Sequence, residues 1–199
     1  MGRREDKARL TRAKLLQAAE RLIVEHGYEK VTVTDLVEAS GIAKGTFYNY
    51  FSRKEDLILE LSKQHFASIA HQEIDLGQTA TENIQQYLVN FMTVIAQAQV
   101  ELARQWLRYV AVAEQQAKWQ FDTRSLKRLF QQLEQAGKLT ATSVNSDLAD
   151  ALLTQMYGLI LLWCMSPTEH DLVTATQQFC MQHLEDLIAP YQLAAGSTK

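Results

Sequence analysis

Breakers are scarce in this chain. Its 199 residues include only two prolines and eight glycines, too few to punctuate many short strands, so long helices are the easier reading. Cysteine is equally rare. Cys164 and Cys180 lie in apolar helical stretches, outside any C-x-x-C arrangement. That argues against a disulfide framework, and Cys180-x-x-His183 offers two ligands where a structural zinc needs four. No apolar run suits a bilayer: the longest, Met156 to Met165, falls short of the roughly 20 residues required. The opening "MGRREDKARL" has no apolar core of the signal-peptide kind. A cytoplasmic protein with reduced thiols and no membrane partner is expected. Also missing are G-x-S-x-G, the P-loop, G-x-G-x-x-G and H-E-x-x-H. Neither catalysis nor a bound cofactor or metal is expected.

Charge of one sign is not in excess either, with 20 basic residues against 23 acidic. Taken whole, that balance argues against a nucleic-acid partner. Its distribution does not. Residues 1–65 hold 12 Lys and Arg against 10 Asp and Glu, and the remainder holds 8 against 13. Within residues 1–14 there are six basic residues and two acidic.

What is present is helical periodicity. Leu15, Ala18, Ala19, Leu22 and Ile23 fall on one face, and Gly27 is a C-terminal stop. Thr32-x-x-Asp35 has capping-box form and opens a second helix that stops near Gly41. A third helix holds Lys44 to Phe51. Ser52-x-x-Glu55 has the same box form and predicts a fourth helix, about 53–70. Helix, short helix, glycine turn and short helix make a helix-turn-helix arrangement, with a generic helical hairpin as the alternative. Further on, Thr79-x-x-Glu82 caps a helix carrying Ile84, Leu88, Phe91, Met92 and Ile95. Trp106, Leu107 and Val110 mark another. Leu126, Leu129, Phe130 and Leu133 mark the next, which ends at Gly137. "NSDLADALLTQMYGLILLWCM" begins amphipathic and becomes apolar all round. Thr168-x-x-Asp171 is the predicted cap of a last helix through Ala189. The fold expected is all-α, with about nine helices. Residues 1–56 would form a helix-turn-helix domain and 57–199 a second helical domain, joined through the fourth helix.

The stretch "AAERLIVEHGYEKVTVTDLVEASGIAKGTFYNYFSRKEDL", Ala18 to Leu57, resembles the DNA-binding region of the tetracycline-repressor-like (TetR) family. The elements that carry the resemblance are the Ala-Ala helix, Gly27-Tyr28, Thr32, the Gly41 turn, Lys44-Gly45-Thr46, Tyr48-x-Tyr50-Phe51 and Lys54. Beyond residue 65 no motif matches. The resemblance implies a homodimeric transcriptional regulator that binds double-stranded operator DNA. Such a regulator is usually a repressor released by a small-molecule effector. Ala43 departs from the pattern, standing where many members carry Ser.

Roles follow residue by residue. Phe47 and Phe51 are i and i+4 and, with Leu36 and Leu57, are expected to form a small core. Tyr48 and Asn49 fall away from that face. Tyr48 and Tyr50 can offer hydroxyls to phosphate, with partial burial the rival reading for Tyr50. Lys44 can reach phosphate or a guanine edge, and Thr46 a base edge or thymine methyl. Gly45 lets backbone approach DNA closely. Thr34 and Lys54, each in a first helical turn, are placed for phosphate. Arg3 and Arg4 read as a basic arm toward a groove or backbone, or equally as a tail.

In the second half, Phe91, Trp106, Tyr109, Trp119, Phe121, Tyr157 and Trp163 are candidates to line a mostly apolar effector pocket. Ordinary core packing is the rival for each of them. Arg104 and Arg108 are expected on a solvated, salt-bridged face. The last two helices carry surplus apolar faces, so a dimer interface is expected at Leu159, Trp163, Phe179, Cys180, Leu184 and Leu187. An activator of the same fold remains open, as does a helical ligand carrier or enzyme without DNA binding.

Overall fold

The computed structural model describes residues 3–70, 72–111, 117–145 and 147–193, without the side chains at 3, 4, 66–68, 70, 117, 118, 144 and 145. Among these residues every regular element is a helix. In order they are α1 (Arg3–His26), a 3₁₀ turn (Tyr28–Lys30), α2 (Val33–Ser40), α3 (Lys44–Tyr50), α4 (Asp56–Ala70), α5 (Ala80–Gln97) and α6 (Val100–Val110). There follow α7 (Ala117–Gln135), the one-turn α8 (Thr142–Asn145), α9 (Leu148–Met165) and a final rod. The rod is α10 (Leu172–Phe179), a π-helical segment (Cys180–Leu184) and α11 (Glu185–Ile188), closed by a 3₁₀ turn (Ala189–Tyr191). With the rod counted once and the one-turn α8 set aside, the described residues form nine helices.

Local chemistry sets the ends. At Thr32 and Thr79 the capping boxes form as expected: each hydroxyl accepts the N–H three residues on, and each acid returns to the cap N–H. These N–H donors hold Asp35 and Glu82 below the usual carboxylate range. Two other expected boxes do not form. At the start of α4 the N–H of Arg53 donates to Asp56 Oδ2 at 3.0 Å, so Asp56 takes the place expected of Glu55 and the helix begins at Asp56. Asp171 is not the inner partner of a Thr168 cap but the cap itself, accepting from Thr174 N–H at 2.7 Å. A four-residue spacing of polar side chains suits either register, and the helix start decides between them.

One apolar cluster runs through the molecule from Leu15 to Ile188. α4 joins it from below, meeting α1, α5, α6 and α7, while the final rod lies along α5. α9 is, among the described residues, the one helix long and apolar enough to cross a membrane, by length and composition only. The uninterrupted apolar run inside it is shorter than the helix. Here α9 is a core helix, with Leu152, Leu153, Met156 and Ile160 fully buried. Its other face is exposed at Leu161, Leu162 and Met165.

The rod corrects the expected dimer face. Leu172, Thr176, Cys180, Leu184 and Ile188 are all buried in the chain's own core. Cys180 and Leu184 therefore cannot meet a partner across that face, and Trp163 is also buried. Leu159 and Phe179 pack partly buried against the core, and Leu187 stays exposed. Buried positions recur every four residues, which in a regular α-helix of 3.6 residues per turn would drift by about 40° per step. The wider i→i+5 turn at Cys180–Leu184 offsets that drift and keeps one face inward. Burial pushes both thiols up to about 11, so neither Cys164 nor Cys180 is a thiolate at neutral pH.

The aromatic set packs mostly on itself. Trp106 and Trp119 meet Tyr157 at ring-centroid distances of 4.9 and 5.1 Å. The Tyr157 hydroxyl donates to Asp122 Oδ2 at 2.9 Å, and Asp122 is buried. Burial, then the Asp122 carboxylate, holds that hydroxyl well above the usual phenol range. Tyr157→Phe withdraws a donor from a buried carboxylate, so urea unfolding should show a loss of about 1–3 kcal/mol. An unchanged midpoint would mean the bond carries no stability.

Candidate nucleic-acid interface

α2, α3 and the turn between them form from short-range rules. Gly41 sits at φ 68° and ψ 32°, the left-handed region open to glycine. Its N–H reaches Glu38 O, and Ile42 N–H reaches Val37 O at 3.0 Å, the double closure of a Schellman end. Extended Ala43 then caps α3 without a side-chain bond, as its methyl requires.

α3 has seven residues. It buries Phe47 and Phe51, whose rings lie 5.7 Å apart, together with Leu36 and Leu57. Arg12 of α1 lies over the Phe51 ring and pairs with Glu60 of α4. With the two phenyl rings committed inward, the opposite face is fixed. Lys44, Gly45, Tyr48 and Asn49 are exposed, Tyr48 at 52%. Thr46 is half-buried, and Tyr50 packs partly against the core. Thr34 is exposed in the first turn of α2. Where a Cβ on Gly45 would stand, nothing lies within 4 Å beyond its chain neighbours and the backbone of α3 itself, so packing against other elements does not demand glycine there.

Two expected residues stand differently. Lys54 does not point outward. Its Nζ donates to Tyr28 O and Val31 O, each at 2.9 Å, and sits 3.9 Å from the Tyr28 ring centroid. The ammonium thus ties the α3–α4 turn to the α1–α2 connection, and the phosphate role expected for it is withdrawn. Arg3 and Arg4 belong to the first turn of α1 and not to an extended arm, and their side chains lie outside the described residues.

The residues that tie this unit to the second half carried no sequence signal of that role. Arg108 of α6 pairs with Glu29 of the 3₁₀ turn, 79 positions away. Arg104, one turn earlier, donates through Nε and Nη2 to Cys164 O at 3.0 and 2.8 Å, at the C-terminal end of α9. These two were expected on a solvated face. Arg108 is indeed largely exposed, but both reach across elements. Glu20 of α1 and His65 of α4 approach to 3.1 Å. Between α4, α5 and α6 lies a narrow cavity of about 40 Å³, walled by Ile58, Leu61, Val94, Leu102 and Trp106, with His65 at its edge. Of the seven expected pocket residues only Trp106 borders it. Phe91 is fully buried. Tyr109 packs partly buried against the core, where Asp56 and Glu60 of α4 and Arg53 just before it act on its hydroxyl.

Residues 15–61 match the profile of the family described as "Bacterial regulatory proteins, tetR family". Over 65 residues the chain is 40% identical to the HTH-type transcriptional repressor AcnR of Corynebacterium glutamicum, covering 33% of this chain and 35% of that protein. The match thus spans about a third of that relative's length. Similar folds extend over nearly the whole chain. A full-length TylP, a TetR regulator from Streptomyces fradiae, aligns over 94% of this chain and 89% of its own, with a TM-score of 0.67 and 21% identity. A Thermus thermophilus FadR, a TetR-family repressor in complex with lauroyl-CoA, aligns over 94% and 98%, with a TM-score of 0.70 and 16% identity.

Lys54→Ala should lower stability by about 1–3 kcal/mol in chemical denaturation, because two carbonyls lose a charged donor. The salt slope of DNA binding should stay at the parent value. Lys44→Ala should instead reduce that slope by about 1. A slope lowered by Lys54→Ala would return Lys54 to the phosphate contacts.

Proposed function

We propose, from the premise that this chain belongs to the TetR family of bacterial regulatory proteins, that it is a transcriptional repressor. It binds a palindromic operator as a homodimer and is released by a small, mostly apolar effector. In this reading residues 1–56 carry DNA binding, and 57–199 carry dimerisation and the effector. The observation that carries it is the division of α3 into two faces, with Phe47 and Phe51 buried and Lys44, Gly45, Tyr48 and Asn49 exposed. Lys44, Tyr48 and Thr34 would contact phosphate. Thr46, held half-buried beside them, would read a base edge. The test is to sequence the fragments this protein selects from a random DNA pool. Recovery of no common motif at any salt would favour a helical ligand carrier. An activator differs only in where the operator lies.

Gly45 gives a sharper check, because it has room for a methyl in the free chain. Gly45→Ala should stabilise α3 by about 0.5–1 kcal/mol, since glycine is a poor interior helix residue. The same methyl should weaken DNA binding at least several-fold, because it would occupy space the duplex needs. Parallel melting and gel-shift titrations measure the two effects, and tighter or unchanged binding would remove Gly45 from the contact. Thr46→Ala should relax preference at one base position per half-site, by up to about 1–3 kcal/mol. Selection on a randomised operator reads that out, and an unaltered motif would leave Thr46 purely structural.

For the dimer, support comes from apolar side chains left in water. Leu161, Leu162 and Met165 of α9 and Met181 and Leu187 of the rod are exposed, and pairing them with a second copy would bury them in a four-helix bundle. Leu161→Glu with Met165→Lys should give soluble monomers by light scattering, with operator binding lost. A parent that is monomeric at micromolar concentration yet binds a palindrome tightly would contradict the dimer.

The effector reading rests on the apolar lining of the α4–α5–α6 cavity. At about 40 Å³ it holds a few waters and must widen to admit an effector. Its lining suits an aliphatic chain, the type of group carried by the lauroyl-CoA bound to the T. thermophilus regulator. Thermal-shift screening with acyl chains should find stabilisers that also release DNA. Stabilisers that leave DNA affinity unchanged would end the allosteric reading.

A further inference from the structure

α5 and α6 meet at an elbow of two residues, Ala98 and Gln99. Gln99 has φ 69° and ψ 155° and is the one non-glycine residue with positive φ among those described. Glycine enters that region freely, but a side chain there is strained. The Gln99 side chain makes no capping bond to α6 and is exposed, while its backbone N–H donates to Ala96 O and its carbonyl accepts from Ala103 N–H, each at 3.2 Å, so no side-chain bond offsets the strain. The conformation is imposed by what the two helices do beyond the elbow.

On one side Val94, Ile95 and Ala98 close the end of α5 on α4. On the other Leu102, Ala103 and Trp106 close the start of α6 on the same helix, around the narrow cavity. α6 is then pinned at two further points. Arg104 holds the α9 carbonyl of Cys164 with two bonds, and Arg108 holds Glu29 of the 3₁₀ turn. That 3₁₀ turn also supplies Tyr28 O to Lys54. α6 therefore bridges the end of α9 and the α1–α2 connection, and its own root is the strained residue.

We infer that Gln99 is a loaded hinge. The Arg104 and Arg108 clamps hold α6 in a position that keeps Gln99 strained, and release of either clamp lets the elbow relax and α6 swing. Strain retained at one joint between two packed units is what a two-position element requires. The inference rests on the proposed function only for its consequence, that the swing changes the grip of the α1–α4 unit on DNA.

The test needs no DNA, so its failure is distinct from failure of the repressor reading. Gln99→Gly should raise the Tm of the full chain by about 2–6 °C, whereas Gln99→Asn, no more at home at ψ 155° than glutamine, should leave it near the parent value. The discriminating measurement is a double-mutant cycle. Arg104→Gln removes a clamp but also frees the strain in the parent, whereas in the Gln99→Gly background no strain is left to free. Arg104→Gln should therefore lower Tm by about 3 °C more in the Gln99→Gly background than in the parent. Arg108→Gln, which breaks an exposed pair and leaves the core intact, provides the same cycle should Arg104→Gln fail to fold. A Gln99→Gly protein that melts no higher than the parent would show that the elbow carries no strain. Equal losses in both backgrounds would show strain that is not coupled to the clamps. Either result overturns the hinge.

Discussion

A seven-residue helix cannot hold itself in water, where helices shorter than about 12–15 residues are marginal. Everything that α3 presents to its surroundings depends on two phenyl rings, Phe47 and Phe51, which are buried where α3 packs on α2, with Arg12 of α1 over the Phe51 ring. Their burial fixes the helix about its own axis. Once that rotation is set, no freedom remains in which way Lys44, Gly45 and Tyr48 point. The Gly41 turn sets the angle of approach, and the Lys54 ammonium holds the far end of the unit against the Tyr28 and Val31 carbonyls. A small surface is thus made rigid by contacts that lie behind it.

α6 does for the whole chain what those rings do for α3. It touches α1, α4, α5, α9 and the 3₁₀ turn, and its two arginines reach the end of α9 and the 3₁₀ turn. No other described helix joins the end of α9 to the α1–α2 connection by charged groups. Motion of the second half can reach the first through α6 or through α4, which also meets α1, and the position of α6 is set by a few polar contacts and an apolar seam. The cavity beside it is so thin that anything larger than a few waters could occupy it only if α4, α5 or α6 moved.

Much of this was legible in the sequence, and the failures share a cause. Caps that act within one turn, at Thr32 and Thr79, were readable, as were the Gly41 stop and the burial of Phe47 and Phe51. All of these depend on residues three or four apart. The boxes at Ser52 and Thr168 were misread because several acids and hydroxyls lie within one turn of each helix start, and spacing alone does not choose among them. Lys54 was read by its place in a helix turn, while its actual partners lie 23 and 26 positions away. Arg104 and Arg108 do stand on a solvated, salt-bridged face as expected, Arg104 beside Glu101, but their longer-range partners Cys164 O and Glu29 were not legible for the same reason. Cys180 and Leu184 were assigned to the wrong side because both sides of the rod carry apolar residues, and a strict 3.6 period does not anticipate a π turn. The wrong side was thus a matter of phase, not of hydrophobicity.

The wide turn at Cys180–Leu184 makes the rod sensitive to its length as well as its composition. It stores one residue more than a plain helix would use between Phe179 and Glu185. Deleting a single residue there would only close the wide turn into plain α-helix and leave the chain beyond in phase. Deleting one from the regular turns of α10 would instead rotate the chain beyond by roughly a quarter of a revolution, since each residue of an α-helix advances about 100°. Ile188 would then rotate out of the core. Glu185 would leave the Thr81 hydroxyl, and Tyr191 O would leave the Thr140 N–H that now meets it at 2.8 Å. The fastening of the carboxyl-terminal segment to α5 is in effect a matter of counting, and this one turn is where the count is kept.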